Sequence, residues 1–255
     1  MTTESSRRSF IRRFLAGTSA AFLAGCDAAS RSTWVPKLLG AGERANKGVQ
    51  RLLTSKTSLA QEFTEADLSP SFRSNGTASP EDETYQQHVA NEFRDWKLKV
   101  DGLVSTPTEL TLAQLHAMPS RTQITRHDCV EGWSAIAKWK GVPLAQVLAL
   151  AQPTATARYV VFHCADPMDD SGTRYYESID LEDAHHPQTI LAYELNGKTL
   201  PVGNGAPIRV RIERQLGYKM AKYIMRIELV DSYAGIGAGK GGYWEDQGYE
   251  WYAGI

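Results

Sequence analysis

The run Arg126-His127-Asp128-Cys129-Val130-Glu131-Gly132-Trp133-Ser134 gathers a thiol, an imidazole, two carboxylates and a guanidinium within nine residues. A cysteine deprotonated in such surroundings is a nucleophile and a soft metal ligand. Besides Cys26 the sequence has only Cys129 and Cys164. Neither sits in a Cys-x-x-Cys pair, which excludes a thioredoxin-type motif and a four-cysteine zinc site. Three readings stay open for the two: a disulfide or thiol-disulfide pair, two inert buried thiols, or a thiolate bound to metal. His127 and Asp128 either tune such a metal from behind or hold the loop backbone.

A second group of residues suits anion binding. Lys219 and Lys222 are three residues apart, Arg209 follows a Gly-Ala-Pro turn, and Asn204 lies in the same loop. They either converge on one anion or form a solvated basic edge. His185 and His186 are adjacent, so on a strand or loop they point apart, and a surface turn before Pro187 is expected in place of a metal pair. The aromatic residues around Trp244 and Trp251 are expected to pack over the core. No Gly-x-Gly-x-x-Gly opens a helix and no Walker loop is present, so the common nucleotide sites are unsupported. The formal charge is -1, and the first 25 residues hold four arginines against Glu4 alone, leaving the remainder more acidic still. Nucleic-acid binding needs a basic face, so it is excluded as a function class.

The run Cys129-Val130-Glu131-Gly132-Trp133-Ser134, followed by Trp139-Lys140-Gly141-Val142-Pro143-Leu144, resembles the oxidoreductase molybdopterin-binding domain of the sulfite oxidase superfamily. The resemblance continues through Ala192-Tyr193-Glu194-Leu195-Asn196-Gly197, Asn204-Gly205-Ala206-Pro207-Ile208-Arg209 and Gly217-Tyr218-Lys219-Met220-Ala221-Lys222-Tyr223, in the family's order, over residues 65–232. It implies a molybdenum-molybdopterin cofactor with Cys129 as the thiolate ligand of the metal. Coordination would also keep that thiol out of a disulfide. The resemblance further implies cofactor phosphate on Arg209 and Lys222, with Asn204 and Lys219 in the same group, and places Cys164 at a pterin-contacting position. Phe72-Arg73-Ser74-Asn75-Gly76 is similar to the segment of sulfite oxidases that touches pterin and substrate. A serine intervenes and Gly76 replaces a histidine, but Asn75 becomes a cofactor candidate and Arg73 a substrate arginine. Arg126 is the other arginine expected beside the metal. The implied function is two-electron oxygen-atom transfer on a small sulfur-oxo substrate, as sulfite oxidation or S-oxide reduction, with a cytochrome or membrane haem protein as electron partner. Non-catalytic binding or assembly is the alternative. The family's immunoglobulin-like dimerisation domain has no counterpart here, which implies a monomer.

The N-terminus reads as a processing segment. Ser6-Arg7-Arg8-Ser9-Phe10-Ile11 resembles a twin-arginine export motif, and the apolar stretch from Phe14 to Gly25 is shorter than the ~20 residues a spanning helix needs. Leu23-Ala24-Gly25-Cys26 resembles a lipoprotein box, so Cys26 is expected to be acylated and to hold the protein on the periplasmic side of the inner membrane. Twin-arginine export carries folded proteins, which suits a cofactor enzyme.

Positioning this chemistry calls for a sheet-rich scaffold. Residues 1–25 are assigned to the signal, 26–60 to a lipidated tether with a helix around Ala45 to Leu53, 61–232 to the catalytic domain and 233–255 to a glycine and aromatic tail packed on it. Strands are expected at 96–100, 123–125, 159–162, 190–195, 208–212 and 224–230 from alternation and β-branched content. Helices are expected at 111–118, capped by Thr111, and at 143–151. Many short strands with brief helices imply an α+β domain with a mostly mixed sheet.

Overall fold

The computed structural model describes residues 32–255, so the arginine pair, the apolar stretch and Cys26 lie outside the described residues. The chain divides into two compact units at Leu53/Thr54. The described part of the first is the helix Val35–Leu53, which starts well before the expected Ala45. Val35, Leu38, Leu39, Gly42, Ala45, Val49 and Leu52 recur at spacings of three and four, an apolar stripe that Gly40, Gly42 and Gly48 hide from a propensity reading. No helix among the described residues is long and apolar enough to cross a membrane.

The second unit holds ten strands: β1 (Lys97–Gly102), β2 (Thr108–Thr111), β3 (Arg121–Asp128), β4 (Ser134–Pro143), β5 (Tyr159–Pro167), β6 (Arg174–Asp180), β7 (Ile190–Leu195), β8 (Lys198–Thr199), β9 (Arg209–Arg211) and β10 (Ile224–Val230). They form a sheet of order β2-β1-β10-β5-β6 and a second of order β3-β4-β7-β8, with β9 also on β7. β1 and β10 run parallel while the other pairs are antiparallel, so the α+β architecture with a mixed sheet is present as expected.

Local chemistry explains the elements that carry the site. Thr111 caps the helix Leu112–Ala117 with a capping box to Gln114, an arrangement that contributes about 1 kcal/mol. The helix Leu144–Ala151 buries Leu144, Val147, Leu148 and Ala151 at helical spacing. Asn196 and Gly197 both adopt positive φ, 51° and 74°, the two-residue turn that matches strand twist and starts β8. Both sheets and this helix share one core, with Leu98, Val100, Val160, Phe162, Ile227 and Leu229 from the first sheet and Leu191 and Val210 from the second. Each such side chain contributes about 1.5–3 kcal/mol by leaving water. The tail is held to the sheet by Trp251, which stacks on Tyr233 and meets Tyr159 edge-on.

Four strands have no counterpart in the sequence reading, the short β2 and β8 and the longer β4 and β6. β4 presents Ala135, Ala137 and Trp139 inward, and alanine is too weak a β-former to advertise a strand. β6 buries Glu177 and Ser178, so the polar-out rule fails there.

Candidate active site

In β3, alternate residues Gln123, Thr125 and His127 face inward, and the next inward position beyond the strand is Cys129. Cys129 opens a tight loop closed by its backbone N–H to Trp133 O at 2.9 Å and by Gly132 N to Cys129 O at 3.0 Å. The thiol is free and lines a cavity that also takes in the 72–77 loop, the end of β5, β9, the 217–222 loop and two tail aromatics. Asn75 Nδ2 lies 3.3 Å from Cys129 Sγ, a donor contact that suits a thiolate.

Opposite the thiol the wall is cationic and incompletely satisfied. Arg209 is 4% exposed and no carboxylate pairs with it; it donates to Asn204 O at 3.1 Å and Met220 O at 3.3 Å while its Nε has no partner. Burial and the neighbouring Arg211 lower its pKa to about 9. Lys222 Nζ donates to Asn75 O at 2.5 Å and Thr77 O at 2.6 Å, tying the N-terminal loop to this wall, and burial and Arg209 lower its pKa to about 8. Buried Asp166 keeps one carboxyl oxygen unpaired, and burial raises its pKa to about 6. Asn204 Nδ2 is also buried without an acceptor. Gly205, at φ +112°, makes this convergence feasible, because a Cβ there would press on Lys222 and Arg209. A buried polar atom without a partner costs roughly 1–3 kcal/mol, and two such atoms on the cavity lining, with a third directly behind Arg209, mark a place built for a ligand with both acceptors and donors. A phosphate with a pterin N–H edge has that character, and the soft Cys129 sulfur suits molybdenum.

The expected residues are thus only partly brought together. Cys129, Asn75, Arg209, Lys222 and Arg73 line the cavity, Arg73 with its guanidinium 5.0 Å from the Trp133 ring centre. Asn204 lies just behind Arg209. Lys219 does not reach the cavity; its ammonium is fully buried between Glu177, at 2.5 Å, and Glu245. Cys164 is buried in β5 beside β10 and does not line the cavity, and no disulfide joins it to Cys129. Arg126 falls on the outer face of β3, exposed, with Nε 2.9 Å from Asp128, because alternation sends it away from its neighbour His127. The histidine pair also departs from expectation: His186 is buried, with Nε2 3.0 Å from Ser58 O.

Several site residues were unread in the sequence or were given another place by it. His127 is buried in the wall, its Nδ1 2.9 Å from Arg211 Nη1, and burial with Arg211, Arg209 and Lys222 holds its pKa well below the usual imidazole value. Arg211 makes two hydrogen bonds to Glu213, both side chains being fully buried. Trp244 packs against the core as expected and also lines the cavity with Tyr249, on which it stacks at 5.4 Å. Trp133, Tyr218, Met168 and Met220 complete an aromatic and thioether rim. The Cys129 segment carried a signal for His127 and Trp133, and the 217–223 run one for Tyr218 and Met220; the tail aromatics reach the site through folding alone.

Residues 85–235 match the family "Oxidoreductase molybdopterin binding domain". The chain is 41% identical over 249 residues to "Putative protein-methionine-sulfoxide reductase subunit YedZ1" of Azospira oryzae, covering 98% of this chain and 88% of that one. It is 41% identical over 145 residues to the protein-methionine-sulfoxide reductase catalytic subunit MsrP of Xanthomonas axonopodis pv. citri, 53% of this chain and 45% of that one. With MsrP of Ralstonia nicotianae it shares 39% identity over 145 residues, 53% of this chain and 44% of that one. The chain therefore spans less than half the length of the MsrP proteins it matches. With a free thiol facing a wall of unsatisfied donors and acceptors, and with these relatives, the chain belongs to the oxidoreductase molybdopterin binding domain family and is an enzyme that uses a molybdenum-molybdopterin cofactor.

Proposed function

We propose that this enzyme reduces S-oxides, with methionine sulfoxide as the substrate class, and receives its electrons from a haem protein in the membrane. The observation that carries this reading is the cavity rim. Trp133, Tyr218, Trp244, Tyr249 and Met168 offer apolar and sulfur-friendly contacts to a thioether-like side chain. Arg73 is the cation at this rim, whereas Arg209 and Lys222 belong to the opposite wall. A sulfite dianion would call for several converging arginines, and the rim does not supply them. The names of the relatives support the same direction, and one of them is named a subunit, which suits a separate electron donor.

Cys129 provides the thiolate that holds the metal, while Asn75 donates to its sulfur. Arg209 and Lys222 would hold the cofactor phosphate, with Asn204 behind Arg209, and the unpaired oxygen of Asp166 would meet the pterin. When bound, the cofactor supplies the two-electron change coupled to oxygen-atom transfer. The overall reaction takes one sulfoxide, two electrons and two protons to one sulfide and one water. The rim aromatics orient the substrate and exclude bulk water from the S–O bond. Export by the twin-arginine route, acylation at Cys26 and a periplasmic, membrane-anchored monomer complete the proposal, since a folded, cofactor-loaded enzyme has to cross intact to meet a membrane donor.

The deciding experiment is steady-state assay of the molybdenum-loaded chain on methionine sulfoxide with an artificial reductant, beside sulfite with an artificial acceptor. Sulfoxide turnover that falls at least ~100-fold in Cys129→Ser supports the reading. A loaded enzyme that oxidises sulfite and leaves methionine sulfoxide untouched overturns it.

A further inference from the structure

We propose that Arg211 locks His127 in its Nε2–H tautomer, and that this ring gives the cavity a fixed hydrogen-bond donor for the oxygen of the S-oxide substrate. The role in substrate binding rests on the S-oxide reading above; the tautomer does not.

Arginine has five N–H donors and no acceptor, so a ring nitrogen 2.9 Å from Arg211 Nη1 has to offer its lone pair. That nitrogen is Nδ1, and the ring proton therefore sits on Nε2. The guanidinium is not free to turn and release the ring. Its Nε and Nη2 donate to Glu213 at 2.9 and 2.7 Å, and it lies over the Trp139 ring at 4.5 Å. Glu213 is fixed in turn by Gln123 Nε2 at 2.8 Å, which also donates to Gln188 O at 3.0 Å. Every side chain in this relay is buried. The imidazole itself is held by Phe72, edge-on at 5.4 Å, and by Trp133 at 5.4 Å.

Gly217 packs beside the far edge of the ring, where only a residue without a side chain fits. A Cβ at that position would stand 2.4 Å from both Cε1 and Nε2, so any other residue would cover the donor. Both His127 and Gly217 line the cavity. Oriented donors aimed at the oxygen of a reacting group act strongly because their geometry needs no rearrangement during the reaction. Here the orientation comes from a relay of three side chains behind the ring, which makes Arg211, Glu213 and Gln123 positioning residues and His127 the group that touches substrate.

The test uses the full chain labelled with 15N in the histidine rings, with the His127 signals assigned from the spectrum of His127→Gln. The wild type is expected to show the Nε2–H pattern at this residue, and Arg211→Met to show exchange between both tautomers. In the molybdenum-loaded enzyme, His127→Phe is expected to lower kcat/KM for methionine sulfoxide about 10- to 100-fold with molybdenum content unchanged, and His127→Gln, which restores a donor, to recover most of that loss. An Nδ1–H pattern in the wild type overturns the tautomer assignment without need of any variant's activity. Full kcat/KM in His127→Phe, or loss of molybdenum from it, overturns the donor role. A wild type that reduces no S-oxide refutes the functional reading, and the spectrum then still decides the tautomer by itself.

Discussion

Two buried charge clusters in this domain, centred on cations ten residues apart in sequence, are built on opposite terms. Around Lys219 one ammonium is shared by two carboxylates, Glu177 and Glu245, with the Trp251 ring 5.3 Å away. Around Arg209 the guanidinium donates to two carbonyls and lies over the Trp139 ring at 5.2 Å with no carboxylate beside it, and nearby Asp166 and Asn204 keep atoms without partners. The first cluster joins β6 to the tail and is complete within the protein, save for one Glu245 oxygen. The second is incomplete within the protein and lines the cavity. Burying a charge is costly unless it is paired, so an under-paired buried cation identifies the wall where a ligand anion belongs, and an over-paired one identifies a structural joint. Sequence spacing alone put Lys219 and Arg209 in the same class; their partners separate them.

The contrast is best broken by removing each cation. Lys219→Met strands two carboxylates in a dry interior and is expected to destabilise the cofactor-free domain by about 3–5 kcal/mol, read as a lower urea midpoint at unchanged slope. A variant with wild-type stability would show that this cluster is not a structural joint.

The next effect lies in pH. Asp166 titrates at about 6 in the fold, against roughly 3.9 in an unfolded chain. Its folded pKa is raised, so its contribution to stability is fully present below pH ~4 and is lost as pH rises through about 6. The change amounts to about 3 kcal/mol, and Asp166→Asn is expected to abolish this slope in urea titrations of the cofactor-free chain at a series of pH values.

Arg209→Met sharpens the comparison from the other side. It removes an unpaired buried charge, so cofactor-free stability is expected to change by under ~1 kcal/mol, while cofactor affinity falls about 10- to 100-fold, measured as molybdenum per chain after export. The smallest effect is expected of Trp251→Phe, which deletes the indole donor to Ser178 Oγ at 2.9 Å and should cost about 1 kcal/mol with no loss of molybdenum.

Legibility followed the reach of the interactions concerned. The helix Leu144–Ala151, the Thr111 cap, the Asn196-Gly197 turn and strand β10 were readable because each depends on neighbours within a few residues. β4 and β6 were not, since their inward positions hold alanines and a glutamate whose burial makes sense only against Trp139's neighbours and Lys219. The site divides the same way. Cys129 was legible from its own segment, while Arg126 was misplaced because strand alternation turns it outward, and Trp244 and Tyr249 reach the cavity from a tail far along the chain.

By itself the sequence determined the α+β class and the molybdopterin family and singled out Cys129, because motifs and local periodicity are properties of order along the chain. Only the tertiary structure decided which cations face a ligand and which face carboxylates, which aromatics form the rim, and how Arg211 holds His127. Those outcomes depend on partners 26 to 84 residues away and on what burial leaves unpaired, neither of which spacing records.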